Sequence, residues 1–185
     1  MGEQVTTAMP TSAGILYSAG RNDECHTPAY GVAPLLEFLE AFRGKVIWCP
    51  FDQASSAFVT VLREAGHTVI HSHIDDGKDF YTYEPPVWDL MISNPPFTGK
   101  RRIVERAIAF GKPFALLLPA TWLNDAAPAQ LFRGDVDLQL LLFDKRIEYQ
   151  HAGKTGRITF ASAYFCRGIL PRGVVSRSLA KGGAA

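Results

Sequence analysis

Two kinds of hydrophobic pattern alternate along the chain from about residue 32 to residue 166. Short, near-continuous apolar runs lie at Lys45–Cys49, His67–Ile74, Trp88–Ser93, Pro113–Leu118, Leu138–Phe143 and Phe160–Cys166. Runs of that length between turn residues predict buried strands. Between them, apolar residues recur every three or four positions. Val32–Phe42 carries Leu35, Leu36, Leu39 and Phe42; Ser55–Ala65 carries Phe58, Val59 and Leu62; Arg101–Phe110 carries Ile103, Val104, Ala107 and Ile108. That spacing predicts helices, with a further short one around Ala127–Phe132. Pro34 suits a first helical turn, and Gly44 and Gly66 suit helix ends. Ser55 or Ser56 is placed to cap the second helix.

Strands that are apolar throughout and separated by helices predict an α/β fold of the Rossmann-like kind. In it a mostly parallel sheet is covered by helices on both faces. The last two strands, joined through a Gly-containing loop at His151–Gly156, are expected to form an antiparallel hairpin at the sheet's C-terminal edge. Residues 1–22 are rich in Thr, Ser, Ala and Gly without a period and are expected to be a flexible leader. Residues 172–185 are basic, end in Gly-Gly-Ala-Ala, and are expected to be a flexible tail. The 185 residues suit one core.

Charge and cysteine content narrow the function classes. The formal net charge is +1, so nucleic-acid binding has to come from a local patch. Cys25, Cys49 and Cys166 are far apart, which disfavours a zinc site or a redox pair. His71 and His73 share one strand face and His67 is near, yet no further ligands join them in sequence, so no metal is expected. No apolar run spans a bilayer, and a cytoplasmic setting with no membrane partner is the default expectation.

Ligands of parallel sheets bind outside the carboxyl ends of the strands. The residues with the most chemistry lie there, above all in Asp89-Leu-Met-Ile-Ser-Asn-Pro-Pro-Phe97. An exocyclic amine is a poor nucleophile because its lone pair is delocalised. Asn94 Oδ1 and the Pro95 carbonyl can accept its two N–H bonds and steer the nitrogen toward tetrahedral geometry. Pro95 and Pro96 stiffen the turn. Phe97 offers a face to a planar base. The plain structural reading is a Pro-Pro turn at a strand end, which the flanking strand and the aromatic make less apt.

These residues resemble the phage and bacterial N6-adenine methyltransferase-like proteins of the class I S-adenosylmethionine-dependent superfamily. The resemblance runs over residues 23–171. Asp23-Glu-Cys-His-Thr-Pro28, Val46-Ile-Trp-Cys-Pro-Phe51, Gly77-Lys-Asp-Phe80, Asn94-Pro-Pro-Phe97, Phe114-Ala-Leu-Leu-Leu-Pro119 with Trp122-Leu123, and Lys145-Arg146-Ile147 fall in the family's order. The resemblance implies that Thr27 and Pro28 lie near the methionine end of S-adenosylmethionine. It places Cys49, Pro50 and Phe51 in the cofactor loop, Asp79 near the cofactor adenine, and Asn94, Pro95, Pro96 and Phe97 at the catalytic centre.

Two departures matter. The family's loop is acidic, then Pro, then Gly-rich; here Cys49 replaces the acid and Asp52-Gln-Ala-Ser-Ser56 replaces the glycines. Asp52 is the candidate carboxylate for the methionine amine. The family's ribose-binding acid aligns with His73, so Asp75 just beyond is the candidate instead. Trp122 either stacks on a flipped base or packs against the loop. Lys100-Arg101-Arg102 and Lys145-Arg146 either contact phosphates or form solvated basic faces. Asp144 is expected to pair with Lys145. Cys49 as a nucleophile is set aside, because the catalytic loop holds Asn94.

The leading expectation is methyl transfer to an exocyclic amine, adenine N6 in DNA ahead of RNA. The length leaves little for a recognition segment, which points to low sequence specificity, a homodimer, or RNA. The competing readings are a domain that binds nucleotide or nucleic acid without methylating, and a protein glutamine-amide methyltransferase.

Overall fold

The computed structural model describes residues 25–134, 136–151 and 157–180. The leader expected at residues 1–22 lies outside them. Four parallel strands form one side of the main sheet, out to its β3 edge: β2 (Val46–Pro50), β3 (Thr68–Ser72), β4 (Leu90–Ser93) and β5 (Phe114–Pro119). Strand β6 (Gln139–Phe143), β9 (Ser162–Arg167) and β10 (Val174–Arg177) complete it in the order β10-β6-β9-β5-β4-β2-β3. A second sheet joins β1 (Cys25–His26), β7 (Ile147–His151) and β8 (Arg157–Phe160) in the order β1-β7-β8.

Side chains of the central strands alternate between two apolar layers. Ile47, Cys49, Leu90, Ile92, Ala115 and Leu117 face one layer, with Phe58, Val59 and Leu62 of helix α2 (Ala57–Glu64) packed there. Trp48, Met91, Phe114, Leu116 and Leu118 face the other, with Ile103, Val104 and Ala107 of helix α3 (Lys100–Ala109). Helix α4 (Ala126–Leu131) joins this second layer through Ala127 and Leu131. Both faces are therefore covered, which is why the strands read as continuous apolar runs. Asp89 locks the start of β4: its Oδ2 accepts from the Val46 amide at 2.8 Å, and its own amide donates back to the Val46 carbonyl at 2.8 Å.

Four expectations need correction. The helix expected at Val32–Phe42 is one α-helical turn, α1 (Ala29–Val32), followed by 3₁₀ turns at Ala33–Phe38 and Glu40–Phe42. Pro34 lacks the amide that an α-helix would use there, and Leu35 and Leu39 still reach the core from the tighter turns. The antiparallel strand is present, but it is not at the edge. β9 lies inside the sheet, antiparallel to both β5 and β6. The hairpin flanking the Gly-containing loop is β7–β8, in the small sheet; residues 152–156 are outside the described set. Finally, the expected flexible tail contains β10, which pairs in parallel with β6 from Val174↔Leu140 to Arg177↔Phe143. The Asp144 carboxylate accepts from Ser178 Oγ (2.8 Å) and the Leu179 amide (2.9 Å), so it secures this segment instead of serving mainly Lys145.

Candidate active site

The carboxyl ends of β2, β3 and β4 open on a cleft of about 610 Å³. Its walls are His26, Thr27, Pro28 and Ala29 before and in α1, Phe51, Asp52 and Gln53 after β2, Ser55 to Phe58 and Thr60 of the α2 entry, His73 after β3, and Asn94 after β4. The volume suits a nucleoside-sized ligand.

The loop after β2 is made without glycine. Phe51 takes φ +70°, a left-handed value that L side chains rarely adopt, and no other described non-Gly residue has positive φ. Its ring is held against Phe80, centroids 4.7 Å apart. The next amide, Asp52 N–H, donates to the Ser72 carbonyl at 3.2 Å and ties the loop to β3. Ser56 caps α2 by accepting from the Phe58 amide at 3.2 Å.

Asp52 is 6% exposed. Ser56 Oγ contacts its Oδ1, and Ser93 Oγ its Oδ2 at 2.5 Å. Burial pushes its carboxyl up to about 7, with the two serine hydroxyls and the neighbouring His73 pulling the other way. Ser93 Oγ also contacts the Pro50 carbonyl. Cys49 lies beneath the loop; burial drives its thiol far up, and the Asp52 charge adds to this, so the sulfur is an inert core atom.

Thr27 is 9% exposed, and its hydroxyl has no hydrogen-bond partner among the described residues. It sits where α1 packs tightly: a Cβ on Gly31 would meet Thr27 Cγ2 at 2.9 Å. Tyr164 Oη holds α1 in place by donating to the Gly31 carbonyl at 2.8 Å. A buried, unserved hydroxyl in a cleft wall is costly unless a ligand meets it.

Of the predicted residues, Thr27, Pro28, Phe51, Asp52 and Asn94 come together on the cleft. Cys49 and Pro50 support it from within β2. Asp75 does not join them: its side chain is 69% exposed in the turn Ile74–Asp76, and His73 lines the cleft in its stead. His73 Nδ1 accepts from the Asp75 amide at 3.2 Å, which fixes the ring. Asp79 Oδ1 accepts from the Tyr81 amide at 2.9 Å and shapes its own turn, away from the cleft wall.

Two aromatic assignments change. Phe97 is 3% exposed and meets Phe160 edge-on at 5.1 Å, so it anchors its loop in the core and shows no open face to a base. Pro95 is buried and Pro96 half-buried beside it. Trp122 is 2% exposed against Phe165, which decides for packing over base stacking. The basic clusters also stand outside the cleft wall. Arg101 pairs with Glu105 at 2.9 Å, Arg102 lies over the Tyr81 ring at 4.6 Å, Lys145 reaches the Leu179 carbonyl at 3.5 Å, and Arg146 is exposed.

Sequence reasoning missed Ser93, His26 and Thr60. Ser93 left a trace: it is the polar end of an otherwise apolar strand, directly before Asn94.

No family profile matches the sequence, and no curated protein matches it. Among solved structures, the chain is similar to a protein described as a modification subunit of a type I restriction enzyme from Vibrio vulnificus YJ016, with TM-score 0.47 and 11% identity. That match covers 80% of this chain and 45% of the other, so this chain spans under half of that subunit's length. It is also similar to a protein described as a class I S-adenosylmethionine-dependent methyltransferase from Listeria monocytogenes, with TM-score 0.48, 11% identity, and coverage of 92% and 74%. Both likenesses concern the path of the chain alone. Among the described residues, no helix is long and apolar enough to cross a membrane, and no group of three metal-ligating side chains occurs.

Proposed function

We propose that this chain is an S-adenosylmethionine-dependent methyltransferase acting on an exocyclic amine, with adenine N6 in DNA as the first acceptor to test. The observation that carries the reading is that Asn94, at the end of β4, borders the same cleft as Thr27, Phe51 and Asp52. Amine-binding and cofactor-binding groups thus share one space. The residues fit the cofactor's chemistry. Thr27 Oγ1 is a buried hydroxyl in need of a partner, and Asp52 is a buried carboxyl lining the same cleft, suited to the amino-acid end. His73 lines the cleft and the Asp75 carboxylate lies 3.2 Å from its Nδ1, so these two are the candidates for the ribose hydroxyls. When bound, the cofactor supplies an electrophilic methyl group on a sulfonium.

The chain's own work is orientation. Asn94 Oδ1 and the Pro95 carbonyl accept the two N–H bonds of the acceptor amine. The proline rings hold these acceptors in place before the substrate arrives. The proton displaced from nitrogen leaves to solvent.

One observation favours a second reading, a domain that binds its ligand without methylating: the phenylalanine side chain at Phe51 occupies cleft wall where a glycine-rich turn would leave room. Methyl-labelled S-adenosylmethionine, incubated with protein and DNA, RNA or protein acceptors, separates the two. Label in N6-methyladenine after nuclease digestion, lost in Asn94→Ala, is the expected result. Cofactor binding with no labelled product in any acceptor overturns methyl transfer in favour of the second reading.

A further inference from the structure

Proton counting around Asp52 leads beyond the cofactor assignment. Ser93 is 0% exposed, so no solvent reaches its hydroxyl. That hydroxyl has one hydrogen and two neighbours within reach: the Pro50 carbonyl and Asp52 Oδ2. A carbonyl only accepts. If Asp52 is ionised, both neighbours are acceptors and one hydrogen cannot serve them. If Asp52 carries a proton on Oδ2, every group is satisfied: Asp52 donates to Ser93, and Ser93 donates to Pro50. Ser56 does not disturb this count, because its hydroxyl accepts from the Phe58 amide and donates to Asp52 Oδ1.

We propose that in mildly acidic solution Asp52 is a neutral acid until an ammonium-bearing ligand enters the cleft, and that it exchanges its proton for that cation. This rests on the cofactor reading above, in which Asp52 faces the amino-acid end. The exchange balances. The Asp52 O–H bond breaks and its proton leaves to solvent. The Ser93 hydrogen turns from Pro50 to the new carboxylate, and the ligand ammonium neutralises the charge. Asp52 is then a specificity residue. It favours nucleosides that carry the ammonium, because only they give the buried carboxyl a cation to ionise against.

The raised carboxyl, about 7, sets the range in which the exchange is visible. The titratable groups facing Asp52 are His73 after β3, Cys49 on β2 and Tyr164 on β9, with His26 across the cleft. Burial pushes Cys49 and Tyr164 upward, so both stay protonated near neutral pH. His73 and His26 are the nitrogen bases on the cleft, so both are substituted as controls.

The test is calorimetric titration with S-adenosylhomocysteine, which keeps the ammonium and transfers no methyl group. It is run in buffers of different ionisation enthalpy near pH 6 and near pH 8.5. The expected result is about one proton released per ligand near pH 6 and close to none near pH 8.5, with affinity falling roughly tenfold per pH unit below 7. Counted per ligand bound, whatever the affinity, release persists in His73→Gln and His26→Gln and vanishes in Asp52→Asn. Adenosine alone releases none. Should Asp52→Asn fail to fold, infrared spectra of the unaltered protein decide: a carboxylic-acid carbonyl band near pH 6 disappears on saturation with ligand. Binding without proton release, or release that survives Asp52→Asn, overturns the proposal and leaves the cofactor reading standing. No binding near pH 8.5, where Asp52 is ionised, overturns both.

Discussion

The loops after β2 and β4 leave adjacent parallel strands at the same end of the sheet, yet they are held in unlike ways. Asn94–Phe97 is stiffened by its own covalent rings, and Phe97 pins it into the core against Phe160. Phe51–Ser56 has no ring in its backbone. It is held by groups distant in sequence: Phe80 under the Phe51 ring, the Ser72 carbonyl on the Asp52 amide, and Ser93 on the Asp52 carboxyl. One loop is rigid by composition and the other by tertiary contact. The loop after β4 therefore tolerates mutation elsewhere better than the loop after β2 does.

The largest expected effect separates the two loops by function. Asn94→Ala should lower methyl transfer roughly a thousandfold, the scale of losing a positioned hydrogen-bonding group at a reaction centre. S-adenosylhomocysteine affinity should change by no more than about threefold if Asn94 serves the acceptor, as proposed. Equal loss of binding and turnover would show that the loops are one functional unit.

Next in size is the pH dependence of stability. The folded carboxyl of Asp52 stands at about 7 against an ordinary 3.8. Folding holds its proton between those values, so the group costs nothing below about 3.8, destabilises increasingly as pH rises from there to about 7, and adds no further cost above that. The stability gap between Asp52→Asn and the unaltered protein should shift by a few kcal/mol in favour of Asn between about pH 4 and pH 8. Denaturant melts at both pH values check this, and a constant gap contradicts a raised carboxyl.

A smaller effect tests the backbone of the β2 loop. Phe51→Gly and Phe51→Ala both lose the contact with Phe80, but only glycine takes φ +70° freely. The glycine variant should be the more stable by about 1 kcal/mol. The reverse order would mean that the left-handed turn is not retained in solution. Smallest, Thr27→Val removes a hydroxyl that has no described partner. Melting temperature should hold or rise slightly, while cofactor affinity falls a few-fold; an unchanged affinity removes Thr27 from the site.

The same contrast governs what the sequence made legible. Asn94, Pro95 and Pro96 could be read directly because their chemistry and stiffness are local, and the apolar runs of β2, β4 and β5 revealed the buried sheet for the same reason. Phe97 misled, and Trp122 stayed open between two readings, because exposure is not written in a side chain's identity; both fill the core. The alternation in Ile147-Glu-Tyr-Gln-His151 is a strand signal, but its pairing with β1 across more than a hundred residues is not local. β10 is four residues long within a basic segment, and only its place beside β6 makes it a strand. Asp75 was favoured over His73 on charge alone, whereas the turn after β3 directs Asp75 outward and His73 inward.

The central claim is that the cleft between these two loops holds the methyl donor. Thr60 is exposed on α2 and lines that cleft, so Thr60→Trp fills it without disturbing the core. Titration of S-adenosylmethionine into the unaltered protein near pH 8.5 should show saturable binding of one ligand per chain. The Thr60→Trp protein, melting at the same temperature, should show none. Equal binding by both proteins would place the donor elsewhere and contradict the account.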